Sequence, residues 1–207
     1  CGGLDVLSNP QNRIFSPLFL FDLLLAPYQA NLFSLIFYAI LGQWGAYLLL
    51  RHKNVSRGMA MVGAVLFINT SWLGMHFTEG QVSYGSFQLF PWLLLSLEKL
   101  SKPKWFLLLS FLMAFFLMEG GIYQFFFGIY MILGLFVLDS QLRNRVLGFC
   151  QTHGLFVLGC LVMFCFLAAP KILGVANGLG HRAPALENWS ISLETLFYGL
   201  FHPKQDV

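Results

Sequence analysis

Charge is what this sequence has least of. Asp, Glu, Lys and Arg make up only 10% of its residues, against about 25% in a soluble domain. That shortage excludes an ordinary water-facing surface, and the mean hydropathy of +0.71 points to an integral membrane protein. With a net charge of +3 and no Lys/Arg cluster interleaved with aromatics, a nucleic-acid partner is excluded as well. Phosphate-binding P-loops, dinucleotide Gly fingerprints, HExxH zinc motifs and nucleophile elbows are all missing, which removes the enzyme classes those motifs serve. Cysteine is sparse too. Cys1, Cys150, Cys160 and Cys165 show no CxxC spacing and read as small buried hydrophobes rather than a metal set. A basic leader is lacking: the chain begins at Cys and ends abruptly at "HPKQDV", which reads as a piece of a longer protein.

What is abundant is apolar. The sequence is 57% hydrophobic, with 23 Phe, and falls into six runs near the length needed to cross a bilayer. They cover roughly 31–50, 58–77, 84–98, 105–118, 121–138 and 153–170, the third interrupted by Pro91. The pattern predicts an all-α polytopic transmembrane bundle, one domain over 1–207. "IFSPLFLFDLLLAP" precedes the first run, too short to span and carrying Asp22, which suits an interfacial or re-entrant helix. Residues 171–207 read as an outer loop with one amphipathic stretch, "SISLETLFYGLF".

The charges alternate with these runs. Arg51, Lys53, Arg57, Lys99, Lys102, Lys104, Arg143 and Arg145 fall in the loops 51–57, 99–104 and 139–152, and only Arg13, Lys171, Arg182 and Lys204 fall on the other side. The positive-inside rule places the first set in the cytoplasm. Of the carboxylates, Glu98 and Asp139 go with it, while Asp5, Asp22, Glu79, Glu119, Glu187, Glu194 and Asp206 gather outside.

The outer face therefore holds the candidate chemistry. Glu79 and Glu119 stand in tight turns, where they are either solvated turn residues or the lining of a polar mouth. His76 and Glu79 are three apart and share a face if the helix extends that far, a spacing that suits an oriented acid–base or metal pair and equally a hydrogen-bonded interfacial His. Gln81 follows. "MEGG" ending at Gly121 lets the backbone turn sharply and a ligand approach closely. His181 and Arg182, in "GHRAPALE", suit phosphate recognition or simple solvation, and Asp5 lies in a Gly/Asn/Pro-rich stretch that suits a capping or a ligand role. Against a transporter, no run carries a charge at mid-depth and no inverted repeat is evident.

The order "CGGLDVLSNPQNRIFSPLFLFDLLL", "GAYLLLRH", "TEGQVSYGSFQLFPWLLLSLEKL", "MEGGIYQFFFGIYMI", "AAPKILGVANGLGHRAPALE" resembles the N-terminal half of the YfhO-like bacterial polytopic membrane proteins of the GT-C glycosyltransferase fold. The resemblance covers nearly the whole chain. The family's E-G-H turn reads Glu79-Gly80-Gln81 here, and its first span would precede Cys1. The resemblance implies a multi-pass protein of the bacterial inner membrane. Such a protein transfers a sugar from a polyprenyl-phosphate donor on the extracytoplasmic face, sometimes with a divalent metal. Asp5, Glu79 and Glu119 would then be the catalytic carboxylates, and His76, Gln81, Gln124, His181 and Arg182 the substrate-binding set. The partners would be membrane lipid and lipid-linked sugar. The competing expectation is a non-catalytic transmembrane subunit of a larger membrane complex, its aromatic faces packed on other transmembrane subunits.

Overall fold

The computed structural model describes residues 13–69 and 82–186. These are helical throughout, with no strand among the described residues. The helices are α1 (Phe19–Leu24), α2 (Pro27–His52), α3 (Arg57–Ile68), a 3-10 helix (Val82–Leu89) running straight into α4 (Phe90–Glu98), α5 (Pro103–Met118), α6 (Ile122–Leu138), α7 (Ser140–Thr152) and α8 (Gly154–Leu186).

Proline sets several starts. Pro27 and Pro103 open α2 and α5 after an extended residue, where the missing N–H goes unneeded and the fixed φ already suits a helix. Pro91 is the second residue of α4, whose preceding Leu89 is already helical in backbone, and it lies where the third apolar run passes from a 3-10 half to an α half. The α2–α3 turn closes through Asn54 at φ 63°, a left-handed conformation that Asn tolerates. Asp139 caps α7, its carboxylate accepting from the Gln141 and Leu142 backbone N–H at 2.9 and 3.0 Å. Asp139→Ala is expected to lower thermal stability by about 1 kcal/mol, measured by unfolding in detergent; Asp139→Asn, which keeps an acceptor, should retain most of it.

Two helices are long and apolar enough to cross a membrane, Pro27–His52 and Gly154–Gly174 within α8, or three if α6 and α7, bent by 105°, form one broken span. The remaining described helices have 17 residues or fewer. Large apolar side chains stand exposed along these helices, among them Met59 and Leu66 on α3, Phe127 and Tyr130 on α6, and Leu155 and Phe166 on α8. Such faces are stable against lipid and costly against water.

Several expectations need correcting. Residues 139–152 are not a loop but helix α7. It lies across the end of the bundle, with Leu142 and Phe149 buried beneath it. Residues 171–186 are not an outer loop: α8 continues through Pro170 to Leu186, and Lys171 is buried. The interfacial segment folds as a short helix of six residues, and Cys165 is exposed rather than buried. The stretch "SISLETLFYGLF" lies outside the described residues.

Packing is close where α2 is narrow. Ala30, Ser34, Gly42, Gly45 and Ala46 are among its buried residues, so neighbouring backbones approach as small residues permit in membrane bundles. The 3-10 helix and α4 occupy that strip, with Gln88 against Gly42 and Trp92 against Gly45. Trp92 Nε1 donates to the Leu41 carbonyl at 2.8 Å, satisfying a polar atom that would otherwise be stranded. One continuous core joins Leu18, Tyr38, Leu93, Leu97, Phe116 and Leu142.

Among the described residues, charged groups meet at both ends of this core. Lys53 Nζ meets Glu98 Oε1 at 2.6 Å, and Arg145 Nη1 donates to the Glu98 carbonyl at 2.7 Å. Arg13, Asp22 and Glu119 meet at the other end. The 16 residues of α5 between them span about 24 Å.

Candidate functional site

The site forms where α5 turns into α6. Gly121 N donates to the Phe116 carbonyl at 2.8 Å and Gly120 N to that of Leu117 at 3.1 Å, with Gly120 at φ 77°. This is a Schellman closure, which needs a residue without a Cβ penalty at the left-handed position. It ends α5 at Glu119 and turns that side chain inward, to 0% exposure.

The carboxylate is met by the N-terminal segment. Ser16 Oγ donates to Glu119 Oε2, and Arg13 Nη1 lies 3.7 Å from Oε1. Arg13 also pairs through Nη2 with Asp22 Oδ1 and donates to Ser34 Oγ at 3.0 Å. Ser34 in turn donates to the Ala30 carbonyl at 3.0 Å. The Tyr38 hydroxyl faces the carboxyl from α2, outside hydrogen-bond geometry with any described group. One guanidinium thus serves two carboxylates, so a single proton would make the cluster neutral.

Burial raises the Glu119 pKa above its ordinary value of 4.5, against the pull of the Ser16 hydrogen bond, Tyr38 and Arg13; Asp22 pushes it further up. The folded state therefore holds a proton that the unfolded state releases, and stability falls as pH rises from about 4.5 toward the raised value. Unfolding in detergent across that window should show this slope, and Glu119→Gln should flatten it; a slope unchanged in the variant would assign the titration to another group.

Beside the turn, a Cβ on Gly121 would lie 2.8 Å from Gln124 Oε1 and 2.9 Å from Ser86 Oγ. Gln124 and Ser86 are both buried, and Tyr84 stacks on Tyr123 with centroids 6.1 Å apart. The 3-10 helix therefore starts at this same end. Below the cluster, a groove of about 270 Å³ opens between α2, α4 and α5, lined by Phe37, Trp44, Trp92, Phe111 and Phe115 among others.

Of the residues singled out in the sequence, Glu119 lies in the cluster and Gln124 beside the same turn. Asp5, His76, Glu79 and Gln81 lie outside the described residues. His181 and Arg182 fall in the last turns of α8 rather than in a loop. Arg13, Ser16, Ser34 and Tyr38 were not anticipated as site residues. One signal was available: Arg13 and Asp22 are opposite charges nine positions apart in a segment otherwise free of charge. Among the described residues no three His, Cys, Asp or Glu side chains gather as metal ligands; Asp22 and Glu119 are both engaged with Arg13, so this cluster does not fit a divalent ion.

No known protein family, no curated protein and no solved structure matches the chain.

Proposed function

We propose that the chain is part of a bacterial inner-membrane glycosyltransferase of the GT-C type, with six spans, acting on a polyprenyl-phosphate sugar at its outer face. The observation that carries this reading is convergence. In a chain only 10% charged, Arg13, Ser16, Asp22 and Glu119 meet at one end of the bundle, with Gln124 beside the same turn and the aromatic groove below. A polyprenyl tail is apolar and suits such a groove, while its phosphate and sugar need polar groups at the groove's end.

The roles divide by burial. Glu119 is enclosed and bound by Ser16 and Arg13, so it positions the turn rather than taking a proton from an acceptor. Activation of the acceptor hydroxyl falls to Asp5 or Glu79, and the departing lipid phosphate to Arg182 with His181. Any divalent metal would need ligands from the segments carrying Asp5, His76 and Glu79.

The test is native mass spectrometry of the full chain with undecaprenyl phosphate, followed by turnover of a polyprenyl-phosphate sugar. Wild type should retain the lipid above bulk phospholipid. Arg182→Ala should weaken retention about tenfold, the loss of one charge-assisted contact. Asp5→Asn or Glu79→Gln should bind donor yet release no polyprenyl phosphate. Wild-type retention no better than that of bulk lipid would sink the reading. It would favour the second one, a non-catalytic transmembrane subunit, to which the burial of Glu119 against Ser16 and Arg13 also lends support.

A further inference from the structure

At the basic end of the bundle lies a second pocket of about 280 Å³, whose polar lining residues are Ser101, Asn144, Arg145, Thr152 and His153, with Gly148 and Phe149 beside them. It is bounded by the turn after α4 on one side and by α7 on the other. The surroundings are strongly cationic: Arg51, Lys53, Arg57, Lys99, Lys102, Lys104, Arg143 and Arg145 belong to the segments at this end, against Glu98 and Asp139. Both carboxylates are committed. Glu98 is taken by Lys53 and Arg145, and Asp139 by the α7 N-terminus. Phe149 forms the pocket's apolar side, stacked on Phe106 at 5.5 Å and against His153 at 4.7 Å.

Its height relative to the apolar faces decides the ligand. Immediately after His153, α8 begins at Gly154; its Leu155 is 88% exposed and Leu158 is exposed too. α7 itself is amphipathic and sharply bent from α6, as helices lying in the headgroup layer are. Lys99 and Lys104 lie 5.0 and 5.7 Å from the Trp105 ring, an aromatic and cationic pairing typical of the membrane–water boundary.

We propose that this pocket binds the phosphate headgroup of an anionic phospholipid of the adjacent leaflet, whose acyl chains run along the exposed face of α8. The site is separate from the proposed donor site by the length of α5 and does not depend on that assignment.

Gly148 supplies a clean test. Gly148 lines the pocket and a Cβ there meets no heavy atom within 4 Å, so Gly148→Leu adds bulk at the pocket wall with no clash at its Cβ. Gly134, on α6, is equally open and serves as control. Arg145→Gln is a weaker probe, because it also breaks the tie to Glu98. The full chain would be extracted from nanodiscs of mixed phosphatidylglycerol and phosphatidylcholine and its retained lipid counted by native mass spectrometry. Wild type and Gly134→Leu should retain phosphatidylglycerol over phosphatidylcholine by about fivefold, the effect of one basic contact at the surface. Gly148→Leu should bring the two to parity. Parity in wild type, or an undiminished preference in Gly148→Leu, would overturn the proposal. So would complete loss of the preference in millimolar inorganic phosphate, which would mark a free-phosphate site instead.

Discussion

Arg13→Ala should be among the most destabilising single changes in this chain, lowering stability by about 3–5 kcal/mol, as removal of one partner from a buried ion pair does. Arg13 is the only described cation against Glu119 and Asp22, and Glu119 has no exposure through which water could replace it. Glu119→Gln should cost far less, about 1 kcal/mol, because the amide oxygen still accepts from Ser16 and no charge is left stranded. The double variant should then lose less than the sum of the two, with a coupling of about 1–3 kcal/mol. Unfolding of all four proteins in detergent completes the cycle; additive losses would show that the pair is not coupled. The Arg13→Ala deficit should also shrink as pH falls, since Glu119 can take up the missing positive charge as a proton.

That cluster marks the boundary of what the sequence discloses. The few charged positions and the sharp EGG turn are legible because charge is rare and Gly-Gly limits what the backbone does. Glu119 does lie at such a turn, and the described charges Arg13, Asp22 and Glu119 lie at the opposite end of the core from Lys53, Glu98 and Arg145. What is not legible is which way Glu119 points. Ser16 meets it from 103 positions away, and a lone Ser in "RIFSPL" gives no local sign of that partner. α7 was missed for a related reason: with Arg143, Asn144, Arg145 and Gln151 it reads as a polar loop, and its helical character shows only once Leu142 and Phe149 have a core to enter. α8 continues past Pro170 because proline removes one backbone donor without obliging a helix to stop when neighbours support it. Short helices such as α3 and α4 leave the six-span count resting on the apolar runs alone.

A comparably large effect is expected at Gly45. A Cβ there would lie 2.6 Å from Trp92 Cδ1 and 2.7 Å from Nε1. The indole has little room to yield: Nε1 is bonded to the Leu41 carbonyl at 2.8 Å, and Trp44 packs edge-on at 5.3 Å. Gly45→Val must therefore push α4 off α2 or break the indole hydrogen bond, a loss of about 3 kcal/mol from overpacking and the lost bond together. Gly58→Ala, where nothing lies within 4 Å, should be neutral or slightly stabilising through helix propensity. Near-equal melting temperatures for Gly45→Val and wild type would mean that the α2–α4 contact is not tight. The Gly45 variant should also narrow or close the aromatic groove, since Trp44 and Trp92 both line it. Loss of undecaprenyl-phosphate retention alongside the lost stability would tie the groove to the tail.

The reach of the Ser16–Glu119 bond has a consequence for how the protein is made. The two residues are 103 positions apart, so at ribosomal speeds of about 5–20 residues per second the N-terminal segment waits roughly 5–20 s before its partner exists. Of the two carboxylates that Arg13 meets in the folded chain, Asp22, nine residues on, is the one already made during that interval. Asp22 is then more than a member of the finished cluster: of its two carboxylates it is the one available to the arginine before the α5–α6 turn arrives.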